Sequence, residues 1–262
     1  MTTRPFLRGR EFPFFETHDV FNTHEQALKQ IKLDLETCNR VIRKKIKIPF
    51  LYFKRPQWDK FKGANDTFTP DTIMPDGKRN QLASTHDLGQ NFSKAFNIKV
   101  ADKNEKEVFV WQTCFGPGIW KIMAALVGIH GDNKGIVIPF DMAQTQIVII
   151  PITFKEKKQD SARTIKLAKD LERKLKKLNF RILFDNSEET PGFKYNKWEL
   201  KGVPIRIEIG PNEIKNKTLS VVLRTEKSRK IIKIKYLEKE ILNFSKKIDK
   251  DIEKKANQYF KD

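Results

Sequence analysis

The apolar pattern of this 262-residue chain changes character once, near Pro151. Upstream of that point, one clear helix is followed by short β-rich runs separated by turn signals. Downstream, amphipathic helices alternate with strands. Runs of strands with few helices build a largely antiparallel sheet. Alternating strands and helices build a small α/β domain with a mixed sheet. The expected fold is therefore α/β, more closely α+β in its first part, with a boundary near 142–155 and domains at 1–145, 146–236 and a closing helix at 237–262.

The elements follow from local signals. Thr23-His-Glu-Gln26 pairs a capping threonine with a glutamine three residues on. Ala27, Ile31, Leu35, Cys38 and Ile42 then recur at helical spacing, predicting a helix over 24–44. Strands are predicted at 46–53, 67–74, 79–85, 107–114, 136–139 and 146–151. Pro75-Asp-Gly77 supplies a turn that closes a hairpin. Gly116-Pro-Gly118 precedes an apolar helix over 119–129. After Pro151, Leu167, Leu171, Leu175 and Leu178 share one face of a helix over 161–178. Strands at 181–184, 205–209, 219–223 and 231–236 lead to a Lys/Glu-rich helix from about Leu237.

Charge narrows the partners. The formal net charge is +19, and residues from 151 onward carry the larger share. A field of that sign attracts polyanions, nucleic acid above all, although lysine-rich helices are also common as plain solvated faces. The two cysteines, Cys38 and Cys114, lack metal-ligand spacing and fit a reducing cytoplasm. No apolar run approaches the roughly 20 residues that span a bilayer, and no signal-peptide core opens the chain.

Four blocks carry a resemblance: Arg4-Pro-Phe-Leu-Arg-Gly-Arg-Glu-Phe12 with Glu16 and His18; Met74-Pro-Asp-Gly77 followed by Gln81-Leu-Ala-Ser-Thr-His-Asp-Leu-Gly-Gln-Asn-Phe92; Gln112-Thr-Cys-Phe-Gly116 through Ile129-His-Gly-Asp-Asn-Lys-Gly135; and the stretch from Thr190-Pro-Gly-Phe-Lys-Tyr-Asn-Lys-Trp-Glu-Leu to Pro211. In this order they resemble the archaeal- and eukaryote-type prolyl-tRNA synthetases: the second half of class II motif 2, the proline-pocket segment, motif 3, and the anticodon-binding domain. The resemblance implies a partial class II antiparallel sheet with helices, then a small anticodon-binding domain. It implies ATP as a substrate with Mg2+, proline and tRNA(Pro) as partners, a homodimer in the full-length enzyme, no membrane, and a cytoplasmic location.

By that resemblance, Arg8, Gly9, Arg10, Gln81, Ser84 and Lys121 fall at nucleotide-contacting positions, with Arg8 the stronger ATP contact of the two arginines. Phosphoryl chemistry needs fixed cations and donors, and arginine's planar fork suits phosphate. Taken without the resemblance, Arg8 and Arg10 beside Glu11 would read as surface ion pairs. Phe14, Glu16, His86 and Cys114 match the proline site; Phe14 and His86 would otherwise read as a core ring and a satisfied structural histidine. In the tail, Lys194, Lys197, Trp198, Glu199, Lys201 and Arg206 combine basic groups with aromatics, a mixture suited to RNA bases and phosphates. Trp198 reads equally as a core anchor. No catalytic residue and no metal ligand is assigned, and Asp132 reads as a turn anchor.

Three departures from the family stand out. The chain opens part-way through motif 2, without its Arg-x-Glu half or motif 1. The motif 3 arginine position holds Lys121, which keeps the charge but cannot stack a flat guanidinium. The C-terminal extension is missing or very short. The implied activity is proline–tRNA ligation by a larger protein, with this chain alone poorly active or inactive. The alternatives are a non-catalytic tRNA-binding protein derived from a synthetase, or one half of a split enzyme.

Overall fold

The computed structural model describes residues 9–13, 15–154, 156 and 158–261. They form two compact units, Met1–Ile129 and His130–Asp262. Among the described residues no helix is long and apolar enough to cross a membrane.

The first unit contains β1 (Thr17–Phe21), α1 (His24–Cys38), β2 (Leu51–Lys54), β3 (Asp66–Ile73), β4 (Arg79–Gln81), β5 (Ala83–Gly89), α2 (Asn91–Ala95), β6 (Lys99–Ala101), β7 (Glu107–Phe109), β8 (Trp111–Pro117) and α3 (Ile119–His130). The Thr23–Gln26 capping box forms as expected, and a π-helical turn, Asn39–Lys45, continues α1. The strands run antiparallel in the order β1-β8-β5-β3-β2, with β4 pairing β3; β6 and β7 form a separate ribbon.

Alternation on β5 divides the sheet into two faces. Thr85 Oγ1 donates to Asp34 Oδ2 at 2.8 Å, and His24 Nε2 lies 2.8 Å from Asp87 Oδ2, so these positions face α1. Ser84 and His86 therefore face the other way. Between β4 and β5 the pairing with β3 slips by one residue: Asp71 stands opposite Gln81, but Phe68 stands opposite Thr85. Leu82 fills the slip. Its N–H donates to the Pro70 carbonyl at 2.9 Å, and its own carbonyl accepts from Gly118 N–H at 2.8 Å.

Several expectations shift. Over 46–53 only the end is strand: Ile48 and Phe50 are fully buried and Lys47 has φ +64, so hydrophobicity there signals core packing. The 107–114 run breaks at the buried Val110, between β7 and β8. β1 has too few apolar residues to announce itself.

The second unit contains β9 (Ile147–Pro151), α4 (Lys158–Lys177), β10 (Ile182–Phe184), α5 (Pro191–Leu200), β11 (Ile205–Ile209), α6 (Pro211–Asn216), β12 (Thr218–Leu223), β13 (Arg229–Lys233) and α7 (Leu237–Lys261). Its sheet is mixed, in the order β10-β9-β11-β12-β13; the first three strands are parallel and the last three antiparallel. Ile147, Ile149, Ile207 and Val221 meet Leu171 and Leu175 of α4 and Ile241, Phe244 and Ile248 of α7. Thus α7 shares the unit's main core. On the other face Val148 and Ile150 meet Trp198 and Val203. Burial on both faces explains the unbroken apolar run of β9. The predicted strand at 136–139 does not form: Val137 and Phe140 pack into this core through an irregular segment and a 3-10 turn, Phe140–Met142.

Candidate active site

A cleft of about 250 Å³ opens where β4, β5, the end of β8 and the start of α3 converge. Its lining brings together Gly9, Gln81, Ser84 and Lys121, four of the predicted nucleotide contacts. Arg10 is exposed and does not line it, and Arg8 lies outside the described residues. Lys121 sits in the first turn of α3, where the helix's N-terminal dipole adds to its positive field. A methyl group on Gly9 would come within 2.8 Å of the Trp120 ring, so the chain passes that ring only as glycine. Phe12 and Trp120, which the motifs did not single out, supply aromatic lining.

Gln81 is tied into a buried ion-pair network. Arg55 Nη2 donates to Gln81 Oε1 at 3.2 Å and to Asp71 Oδ2 at 2.8 Å, and Arg79 Nε lies 3.2 Å from the same carboxylate oxygen. No motif marks Arg55. Besides Asp59, four residues on, its partners Asp71 and Gln81 lie 16 and 26 residues away, so only the folded sheet shows that connection.

Beside the cleft, on the face opposite α1, the register aligns His18, Cys114, His86 and Thr67 across four strands in one row. Ser84 and Gly116, both in the cleft lining, are paired one step along the same face. Glu16 reaches over the row: it accepts from the Cys114 thiol at 3.2 Å and lies 3.0 Å from His18 Nε2. Partial burial opposes ionisation of Glu16, but the hydrogen bonds from Cys114 and His18 hold its carboxyl below the usual range. Burial, then the Glu16 carboxylate, push the Cys114 thiol up to about 12. Burial lowers the His86 pKa despite the nearby Glu16. Its Nδ1 pairs with Thr67 Oγ1 at 2.9 Å, and Phe61 packs against its ring. The donor atoms of Glu16, His18 and Cys114 lie within 4.8 Å of one another, close enough to share a cation. With the thiol protonated, they form a hydrogen-bonded cluster that places one ionised carboxylate over the row. Phe14 lies outside the described residues.

In the second unit the six predicted RNA contacts divide. Trp198 is only 7% exposed and donates its indole N–H to Asp185 Oδ2 at 2.6 Å. Lys194, 4% exposed, donates to the Asp185 carbonyl. Both are therefore structural here: Trp198 packs against Val148, Ile150 and Val203. The ammonium groups of Lys197 and Lys201 lie over its ring at 5.2 and 5.0 Å, where a base would stack. Arg206 covers Tyr195 at 4.3 Å and pairs with the buried Glu208, while Glu199 pairs with Lys134 at 2.9 Å. Phe193, 53% exposed, precedes Lys197 and Lys201 at intervals of four on α5 and is the accessible ring of that face.

A model of the tRNA synthetase class II core domain (G, H, P, S and T) matches residues 2–130, and a model of the anticodon binding domain matches residues 146–244. The chain belongs to the class II aminoacyl-tRNA synthetases. Curated relatives of this chain are proline–tRNA ligases. That of Thermofilum pendens is 48% identical over 98% of this chain and 53% of the relative. Those of Methanococcoides burtonii and Thermoplasma acidophilum are 40% and 38% identical, over 97% and 99% of this chain and 52% and 54% of theirs. The chain spans about half the length of the curated relatives it matches.

The buried indole sets a stability test in the second unit. Trp198→Phe keeps most of the apolar volume but strands Asp185 Oδ2, leaving Ser187 to satisfy the other oxygen. The expected loss is about 1–3 kcal/mol in urea unfolding. A change within error would place the indole–carboxylate bond outside the fold's energetics.

Proposed function

We propose that this synthetase chain carries nucleotide- and proline-binding residues of a proline–tRNA ligase, together with its tRNA-reading domain. The observation that carries the reading is the register of the open sheet face. Gln81, Ser84 and Lys121 converge on one cleft, and His86 and Cys114 stand one step along the same strands from Ser84 and Gly116. A nucleotide in the cleft and an amino acid over the row would lie side by side.

Activation would follow from that placement. An oxygen of the proline carboxylate attacks the α-phosphorus of ATP, the bond to the bridging oxygen breaks, and pyrophosphate leaves. Lys121 and the Gln81 amide would meet the phosphate charge. Glu16 would face the substrate's ammonium group, and neutral His86 would add no competing positive charge. The prolyl group then passes to a terminal ribose hydroxyl of tRNA(Pro), with AMP departing. No carboxylate lines the cleft among the described residues. These residues therefore do not form a Mg2+ site, and no step is assigned to that ion. The complete enzyme is read as a cytoplasmic homodimer. Lys121, in place of the family's arginine, favours a second reading: a tRNA-binding chain whose synthetase site has lost activity.

The test is proline-dependent ATP–pyrophosphate exchange, run on this chain and on a version extended upstream to the length of its relatives. Exchange that depends on proline in either form supports the ligase. Absence of exchange in both, with tRNA binding retained, replaces it with the tRNA-binding reading.

A further inference from the structure

Gln81 carries the only side-chain amide in the cleft lining among the described residues. An amide has an accepting oxygen and a donating nitrogen of nearly the same shape, so its neighbours decide which end a ligand meets. Here the neighbour leaves no choice. Arg55 Nη2 is 3.2 Å from the amide oxygen, and a guanidinium has donors only. The oxygen must face Arg55. The NH2 group is then free of any acceptor among the described residues, in a side chain that lines the cleft.

Arg55 is itself held from three directions. Its side chain is 7% exposed, and Nη2 also donates to Asp71 Oδ2 at 2.8 Å. Its backbone N–H donates to the Thr67 carbonyl at 2.8 Å, and Pro56 restricts the residue's backbone from the other side. Asp71, 1% exposed, stands directly opposite Gln81 in the β3–β4 register. A rotation of the amide would set two N–H groups against a fixed, buried guanidinium.

We propose that Arg55 is a positioning residue that locks Gln81 as an obligate hydrogen-bond donor toward the cleft ligand. The cleft thereby takes a group presenting an oxygen or nitrogen lone pair at that point, as a nucleotide does, and rejects one presenting N–H. This rests on the nucleotide reading above and adds to it a residue outside the motifs.

The competing explanation is that Arg55 only neutralises buried Asp71. A double-mutant cycle separates the two, with ATP binding measured by calorimetry on the 262-residue chain and on the upstream-extended version. Gln81→Ala is expected to weaken ATP binding about 10-fold, roughly one hydrogen bond to a charged group. Arg55→Lys keeps a cation against Asp71 but lacks the second fork of the guanidinium. It is expected to retain its melting temperature and weaken ATP binding several-fold. The double variant is expected to bind like Gln81→Ala alone. Gln81→Glu gives Arg55 a stronger acceptor and the ligand none of its donors, so the fold is expected to hold while ATP binding falls at least 10-fold. Additive losses in the double variant, or wild-type affinity in Gln81→Glu, would overturn the positioning role while leaving the nucleotide site standing. If neither unmutated form binds ATP, the nucleotide reading itself falls and this inference falls with it.

Discussion

Arg224→Met is expected to lower the melting temperature of the second unit by roughly 10–20 °C, from a loss of about 3–5 kcal/mol. The Arg224 side chain is 3% exposed and hydrogen-bonds through all three of its nitrogens. Nη1 and Nη2 grip the two oxygens of Asp132 at 2.8 and 2.6 Å, Nε donates to the carbonyls of Ile136 and Glu199, and Nη2 also reaches the Gly135 carbonyl. Methionine fills the volume and satisfies none of these groups. Gly135, whose carbonyl accepts one of these bonds, has φ +134 and packs so closely that an added methyl group would sit 2.5 Å from the Leu200 backbone. Calorimetric melting of the wild-type and variant chains gives the number. A shift below about 3 °C would mean that water replaces the guanidinium at little cost.

The same pair sets an acid limit. The hydrogen bonds from Arg224 hold Asp132 well below the usual carboxylate value, at about 2. A depressed folded-state pKa stabilises the fold above the unfolded pKa near 3.9, and the contribution is lost as pH falls through the folded value. The wild-type chain should therefore lose stability between about pH 4 and pH 2 that Arg224→Met has already lost. The variant's melting curve should be flatter across that window.

Glu16→Gln is expected to raise the KM for proline by roughly 10–100-fold in the exchange assay, with a smaller change in kcat. Glutamine has the same shape and can still accept from Cys114, so the sheet edge should fold unchanged. What disappears is the negative charge of Glu16 over the row of His18, Cys114 and His86. A secondary ammonium ion would then be desolvated against a neutral amide. Because the Glu16 carboxyl titrates below its usual range, it stays ionised at every pH above about 5, and the wild-type KM should not vary on its account between pH 6 and 8. An unchanged KM in the variant would remove Glu16 from the amino-acid site.

How much of this was legible depended on whether a feature was local. The capping box at Thr23–Gln26, the Pro-Asp-Gly turn and β11 over Ile205–Ile209 are written in neighbouring residues, and they form as read. The helix α5 has a start signal too, with Thr190 capping Phe193 N–H and Pro191 in the first turn. Yet its ten residues bury only Lys194 and Trp198, so no apolar stripe marks it. The fates of Lys194 and Trp198 depend on Asp185, which no periodicity links to them. Arg55 is the same case in the first unit: a lysine- and arginine-rich chain offers many candidates, and only pairing across β2, β3 and β4 picks out one. Motif resemblance singled out Gln81, Ser84 and Lys121 as expected nucleotide contacts without saying how residues 81 and 84 could share a side.

The answer to that last point is Leu82. In an unbroken strand, positions 81 and 84 differ by an odd number and would point to opposite faces. The one-residue slip cancels the difference, and Pro70, which has no N–H to give, stands where the pairing changes. The hairpin therefore behaves as two short segments with separate phase. Inserting or deleting one residue at this hinge would turn Gln81 away from the cleft while leaving Ser84 and His86 in place. If the cleft takes the nucleotide and the row takes the amino acid, as proposed, the two halves of the site are separable by length alone, and chains of this type have a route to losing one substrate while retaining the other.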